Sequence, residues 1–82
     1  MGKQSKTKEK VLSGTADANI RFDDLCSLLE HLGFKNNRNK GSHRMYAHGN
    51  VPDLVNLQSD KSGKAKPYQV KEARTLITRH KL

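Results

Sequence analysis

The sequence is poor in the features that support a large enzyme, a secreted protein or a membrane protein. Its 82 residues include a single cysteine and no tryptophan, and only 5% of them are aromatic. One cysteine allows neither an internal disulfide nor a pair of thiolates for a zinc site. No apolar run approaches the roughly 18 residues of a membrane span, and no apolar signal-peptide core is present. We therefore expect one small cytoplasmic domain without a metal or other cofactor.

What the sequence has in excess is positive charge. Lysine and arginine number 16 against 8 acidic residues, which gives a formal net charge of +8. Residues 1–14 carry +3, residues 15–34 carry −3 and residues 35–82 carry +8. The charge thus belongs mainly to the later part of the chain. It favours a polyanionic partner such as nucleic acid, and the alternative is a solvated basic surface that serves solubility.

The beginning of the chain differs from the rest. It is polar and rich in lysine, with Val11 and Leu12 as its apolar anchors. Such a composition buries too little apolar surface to order a segment by itself. The sequence therefore predicts a flexible basic segment at residues 1–18 and a folded domain at residues 19–82.

Hydrophobic periodicity predicts two helices around three strands. Apolar residues recur at helical spacing from Phe22 to Leu32, and Gly33 ends this helix. Three extended runs bounded by turn residues follow, at residues 34–38, 42–48 and 53–58. Pro67 opens the last helix. The order α-β-β-β-α predicts an α+β two-layer sandwich, in which a three-stranded antiparallel sheet carries two helices on one face, as in double-stranded-RNA-binding domains.

One histidine has a setting suited to catalysis. His43 follows Gly41 and Ser42 at the start of a predicted strand, and Lys40 and Arg44 flank this motif. A glycine turn lets a polyanion come close to the backbone, and imidazole transfers protons near neutral pH. Beside a bound phosphate, His43 would take the proton of a ribose 2′-OH that attacks the phosphodiester, a reaction that needs no metal. The alternative is an ordinary turn with a surface histidine.

Strand alternation leaves the direction of His43 open. If Met45 faces the core, His43 lies at the rim of the core; if Tyr46 faces the core, His43 stands on the open face of the sheet. Tyr46 is either a core residue or a platform for a base. Cys26 is favoured as a small core residue, and His31 and His80 as structural or neutral residues near helix ends. For His48 a plain surface role is favoured over contact with phosphate.

A second basic cluster lies in the polar loop at residues 59–66. Lys61, Lys64 and Lys66 lead into the N-terminus of the last helix, where free backbone N–H groups favour phosphate. The alternative is a solvated linker.

Several segments, in this order along the chain, resemble the HicA family of bacterial toxins. They are the leucine-rich stretch from Leu25 to Phe34, the stretch from Lys40 to Tyr46, and Lys66-Pro67 at the start of the last helix. Further segments are similar to a subgroup with a longer N-terminus, namely residues 17–22, 56–58 and 65–70. The resemblance covers about residues 17–82. In many members the Gly-Ser-His motif is followed by a second histidine or an apolar residue and then by Ile-Phe. This sequence departs from that pattern, because Arg44-Met45-Tyr46 follows its motif.

The resemblance implies a ribosome-independent mRNA interferase with a double-stranded-RNA-binding-like fold. His43 would be its catalytic histidine, and a HicB-type antitoxin would cover the RNA site. We therefore expect metal-independent cleavage of RNA that leaves a 2′,3′-cyclic phosphate and a 5′-hydroxyl. The expected RNA-binding residues are Lys40, Gly41, Ser42, Arg44, Lys61, Lys64 and Lys66. The alternatives are a non-catalytic RNA-binding module with the same fold and a protein-interaction domain that matches an acidic partner.

Overall fold

The chain folds into three helices and one antiparallel sheet. A computed structural model describes residues 3–40 and 43–82, excepting the side chains of residues 3–5, 37–40 and 53. The elements are α1 (Lys3–Ser13), a 3₁₀ turn (Asp17–Asn19), α2 (Phe22–His31), β1 (Lys35–Lys40), β2 (His43–His48), β3 (Val51–Gln58) and α3 (Pro67–His80). From α2 onward this is the predicted order α-β-β-β-α, and the α+β fold class is confirmed. None of the helices described is long and apolar enough to cross a membrane.

The sheet has the strand order β1-β2-β3, and both pairs of neighbours are antiparallel. Lys40 pairs with His43 across the first hairpin, and His43 pairs with Gln58 on its other side. The register shifts once in each pair of strands, between Asn36 and Arg38 and between Tyr46 and His48. His43 therefore lies in the middle strand, at the end of the sheet where β1 and β3 finish.

One face of the sheet packs against α2 and α3. Tyr46, Val55 and Leu57 point to this face and belong to a single apolar cluster with residues of both helices. Tyr46 is fully buried, so the Tyr46 face is the inner one. Because side chains alternate along a strand, His43 stands on the open face, where it is exposed. The prediction of two helices on one face of the sheet is confirmed.

The Leu-Gly-Phe segment makes a tight connection between α2 and β1. Gly33 has a φ of 104°, a left-handed conformation that favours glycine. A Cβ atom built on Gly33 would lie 2.9 Å from Nε2 of His48. That nitrogen is 3.1 Å from the carbonyl oxygen of Leu32, and Nδ1 of His48 accepts a hydrogen bond from the Asn50 backbone N–H. His48 thus has a structural role at this connection, where the sequence predicted a plain surface residue.

A helix occupies most of the segment that we expected to be flexible. Residues 3–13 form α1, which packs on α2 and α3. Thr7 and Val11, one turn apart, are both buried. One apolar residue on the inner face of a lysine-rich helix produces no detectable periodicity, and such a short helix gains its stability from packing. The division of the chain at residue 18 stays a prediction.

Arg74 of α3 holds the end of α1 and the segment that follows it. Its guanidinium Nη1 donates to the carbonyl oxygen of Val11 at 3.1 Å and to the Asp17 carboxylate at 2.9 Å. Lys8 donates from Nζ to the main-chain oxygen of Leu82 at 2.9 Å. These polar contacts fasten α1 to α3 on both sides of the buried Val11 side chain.

Candidate active site

His43 lies in a cleft lined by side chains of β2, of the edge strand β3 and of the first turns of α3. The cleft has a volume of about 260 Å³. Besides His43, it is lined by Asn56 and Gln58 of β3 and by Tyr68, Gln69 and Glu72 of α3. We call it the His43 cleft. It brings together an imidazole, side-chain amides, a phenol and a carboxylate.

Gln69 joins α3 to the edge of the sheet. Its side chain is buried, and its Oε1 accepts a hydrogen bond of 3.1 Å from the backbone N–H of Gln58. An edge strand normally presents unpaired backbone groups, and this contact satisfies one of them at the end of β3. The same contact sets the first turn of α3 beside His43, because Gln58 is the cross-strand partner of His43.

Lys66 is the predicted phosphate ligand that the fold brings to this cleft. It immediately precedes α3, and its Nζ donates to Oε1 of Gln58 at 3.1 Å. An ammonium group carries three donors, so this bond leaves two for a phosphate. The Lys66 ammonium is therefore hydrogen-bonded to Gln58, the cross-strand partner of His43. It also lies next to the N-terminus of α3, and the N-terminal end of a helix favours anions.

Lys61 and Lys64 lie elsewhere on the loop. The loop passes beside the start of α2, where the Ala65 N–H donates to the Ile20 carbonyl at 2.8 Å. Lys64 reaches Oδ1 of Asn19 at 3.4 Å, and Lys61 is exposed. The loop therefore separates the three lysines, and only Lys66 contacts a residue of the His43 cleft. RNA binding by Lys61 and Lys64 stays a prediction.

Asp60 organises this loop. Its Oδ1 accepts hydrogen bonds from the Ser62 N–H at 2.8 Å, the Ser62 hydroxyl at 2.7 Å and the Lys64 N–H at 2.9 Å. The hydrogen bond from the Lys64 backbone is the largest of the effects that lower the pKa of Asp60 below its ordinary value. The carboxylate is thus a local turn former, and it determines where the loop turns toward Lys66.

Arg44 is on the other face of the sheet from His43. Its guanidinium carbon lies 5.3 Å from the centroid of the Phe22 ring, and hydrogen bonding to Tyr46 raises the pKa of Arg44. Adjacent residues on a strand point in opposite directions, so Arg44 and His43 do not converge on one side of the sheet. RNA binding by Arg44 stays a prediction.

Polar groups on the inner face beneath His43 have structural roles. The Tyr46 hydroxyl donates to Oε2 of Glu30 at 2.9 Å. Burial is the main cause that raises the pKa of Tyr46 and that of the Cys26 thiol. A buried thiol with a raised pKa is a poor nucleophile. In the described part of the chain, no group of three or more His, Cys, Asp or Glu side chains could hold a metal ion.

The structure describes only part of the motif that precedes His43. The backbone of Lys40 pairs with that of His43, and Gly41 and Ser42 lie outside the described residues. Sequence reasoning missed the residues that line the cleft opposite His43, which are Asn56, Gln58, Tyr68, Gln69 and Glu72. Side-chain alternation along β3 predicts that Asn56 and Gln58 lie on the same face of the strand. That His43 lies on this face too follows only from the strand register and the position of α3.

The sequence matches the model of a known protein family over most of its length. The sequence model of the family described as HicA toxin of bacterial toxin–antitoxin systems matches residues 22–78. The match runs from the first residue of α2 into the last turn of α3 and covers more than half of the chain. The chain belongs to the HicA toxin family. No curated protein and no solved structure matches it.

Membership in the HicA family makes this chain the toxin component of a toxin–antitoxin pair, and it implies a cognate antitoxin as partner. The matched region contains His43 and every other residue that lines the His43 cleft. Helix α1 precedes the matched region. In this HicA chain, α1 therefore lies outside the part that the family model covers.

Proposed function

We propose that this HicA chain is an endoribonuclease that cleaves mRNA, with His43 as a proton-transfer residue. The observation that carries the proposal is the exposure of His43 on the open sheet face, in a cleft with amide groups and next to the Lys66 ammonium. Imidazole is suited to proton transfer at neutral pH. A fixed cation beside it stabilises the charge that develops on the phosphoryl oxygens.

The reaction is a transesterification within the RNA strand. The ribose 2′-oxygen attacks the adjacent phosphorus, the P–O5′ bond breaks, and the products carry a 2′,3′-cyclic phosphate and a 5′-hydroxyl. The nucleophile belongs to the substrate, so the protein supplies proton transfer, orientation and charge stabilisation. None of these contributions requires a metal ion.

The test compares the wild type with His43→Ala and His31→Ala on a defined RNA in the presence of EDTA. His31 is an exposed histidine at the end of α2 and serves as the matched control. We expect His43→Ala to lower the cleavage rate by about 10²–10⁴-fold or more, whereas His31→Ala cleaves like the wild type. Equal cleavage by His43→Ala would contradict the role of His43. RNA binding without cleavage by any of the three proteins would support the non-catalytic module.

We further propose that the antitoxin is of the HicB type and that it acts in the cytoplasm by covering the His43 cleft. Large apolar side chains exposed in the described residues are Leu12, Leu54 and Tyr68, and Tyr68, with 62% of its surface exposed, lines this cleft. Exposed aromatic residues are typical anchors of protein interfaces. RNA and the antitoxin should therefore compete in a binding titration. A ternary complex with both bound would contradict this arrangement.

A further inference from the structure

The His43 cleft contains a carboxylate that the proposed mechanism has not used. Glu72 lies on α3, one helical turn after Tyr68, and it is exposed. Within the described part of the chain, no lysine, arginine or histidine forms an ion pair with it. It is the acidic residue among those that line the cleft. A basic protein thus presents a carboxylate beside its candidate catalytic histidine.

Glu72 lines two cavities. The second cavity, of about 380 Å³, is lined by Leu54 of β3 and by Glu72, Thr75, Leu76 and Arg79 of α3. Glu72 is common to this cavity and to the His43 cleft. Both cavities are lined by residues of β3 and α3, and we refer to the two together as the groove. A substrate that occupies both cavities would pass the Glu72 carboxylate.

Transesterification of RNA moves two protons in opposite directions. One leaves the attacking 2′-hydroxyl, and one must reach the departing 5′-oxygen. A single imidazole cannot be unprotonated for the first transfer and protonated for the second at the same moment. Carboxylates are ordinarily ionised at neutral pH, whereas imidazole exchanges its proton in this range. A carboxylate and an imidazole in one cleft are therefore a complementary base and acid.

We propose that Glu72 is the second proton-transfer residue of the reaction, an inference that rests on the proposed endoribonuclease activity. The Glu72 carboxylate takes the proton of the 2′-hydroxyl as the O2′–P bond forms. His43 in its imidazolium form gives a proton to O5′ as the P–O5′ bond breaks. Glu72 is left protonated and His43 neutral, and exchange with water restores both for the next turnover.

The pH dependence of this pair is set by the groups that face Glu72. From β2 this is His43, and from α3 itself these are Tyr68 and Arg79. The Lys66 ammonium, just before α3, is hydrogen-bonded to the Gln58 side chain of the same cleft. The side chains of β3 that line the groove do not titrate; they are Leu54, Asn56 and Gln58. A general base and a general acid that act in the same step give a bell-shaped dependence of the rate on pH, and this is the profile that we expect.

The experiment measures kcat/KM for a short RNA in EDTA across the pH range, for the wild type, Glu72→Gln, Glu72→Asp and Glu9→Gln. Glu9 is an exposed residue of α1 that does not line the groove, so it controls for the loss of one negative charge. We expect Glu72→Gln to lower the rate by about 10²–10⁴-fold and to abolish the rising limb of the profile. Glu72→Asp should keep the rising limb at a reduced rate, and Glu9→Gln should match the wild type.

The outcomes separate this inference from the proposed function. If the wild type cleaves RNA and Glu72→Gln keeps both limbs at a similar rate, the role of Glu72 is overturned and that of His43 stands. A change in KM alone, with an unchanged pH profile, also overturns proton transfer and makes Glu72 a binding residue. If the wild type and every variant fail to cleave, the endoribonuclease activity fails and this inference fails with it. Matching unfolding midpoints exclude misfolding as the cause of a lost rate.

Discussion

The packing of α1 on the rest of the domain predicts that shortening a smaller side chain of this helix destabilises the domain more than shortening a larger one. Val11 is fully buried, whereas the neighbouring Leu12 is 43% exposed. Val11→Ala and Leu12→Ala are thus adjacent changes on one helix with opposite environments. If α1 is docked as the structure has it, the valine change should destabilise the domain more, although the leucine change removes more atoms.

The size of the effect follows from the buried surface. Valine to alanine removes the equivalent of two methylene groups, each of which contributes about 0.8 kcal/mol when buried. Incomplete collapse of the cavity adds to this, so we expect Val11→Ala to lower the free energy of unfolding by about 1.5–3 kcal/mol. For Leu12→Ala we expect a loss below about 1 kcal/mol, because the side chain is nearly half exposed.

Urea unfolding followed by circular dichroism measures both changes, and the midpoint of thermal unfolding offers a second readout. In a domain of this size each kcal/mol corresponds to about 4–8 °C in Tm. Hydrogen exchange adds a local measurement, since Val11→Ala should lower the protection of the amides in the second half of α1.

The opposite result has a definite physical meaning. In an undocked helix alanine is a better helix former than valine, so Val11→Ala would be neutral or slightly stabilising. A change within about 0.5 kcal/mol of the wild type, with unaltered exchange in α1, would refute the docked position of this helix. It would support the expectation that the first part of the chain is flexible.

Three other predictions follow from single contacts. Lys66→Ala should weaken RNA binding and reduce the slope of log K against log salt by about 0.7, whereas Lys10→Ala on α1 should leave the slope unchanged in the same titration. Gly33→Ala should destabilise the domain by about 1–3 kcal/mol through its left-handed backbone and its contact with the imidazole; the control Gly49→Ala, whose Cβ meets no atom within 4 Å, should be near neutral in urea unfolding. Because the pKa of Asp60 is lowered in the folded state, its contribution to stability is present above the ordinary value of 3.8 and is lost as the pH falls through the lower folded-state value. The stability difference between the wild type and Asp60→Asn should therefore be constant near neutral pH and disappear in acid, and a difference that persists at low pH would contradict this linkage.

Much of the fold could be predicted because its signals are local. The apolar stripe from Phe22, the stop at Gly33 and the opening of α3 at Pro67 each depend on neighbouring residues. The helix bounds Phe22–His31 and Pro67–His80 agree with these signals. β2 and β3 end at the predicted residues, and the other strand bounds differ from the predicted ones by one or two residues, since strand ends depend on partners elsewhere in the chain.

Helix α1 lacked a local signal of this kind. Among the described side chains of α1, those of Thr7 and Val11 are buried. The attachment of the helix depends on Arg74, which is 57 residues away from its partner Asp17. A contact between such distant residues leaves no periodicity in the sequence. The helix could be assigned only from the tertiary structure, in which α2 and α3 form the surface on which it packs.

The sequence by itself determined the charge, the α+β order of elements, the Gly41-Ser42-His43 motif and the resemblance to HicA toxins. All of these are properties of composition or of neighbouring residues. The tertiary structure decided which face of the sheet carries His43 and that Arg44 lies on the opposite face. It also decided that Gln58 and Glu72 line one cleft with His43 and that Lys66 is hydrogen-bonded to Gln58. The physical reason is that strand register and helix docking set these distances, and both depend on packing across the whole domain.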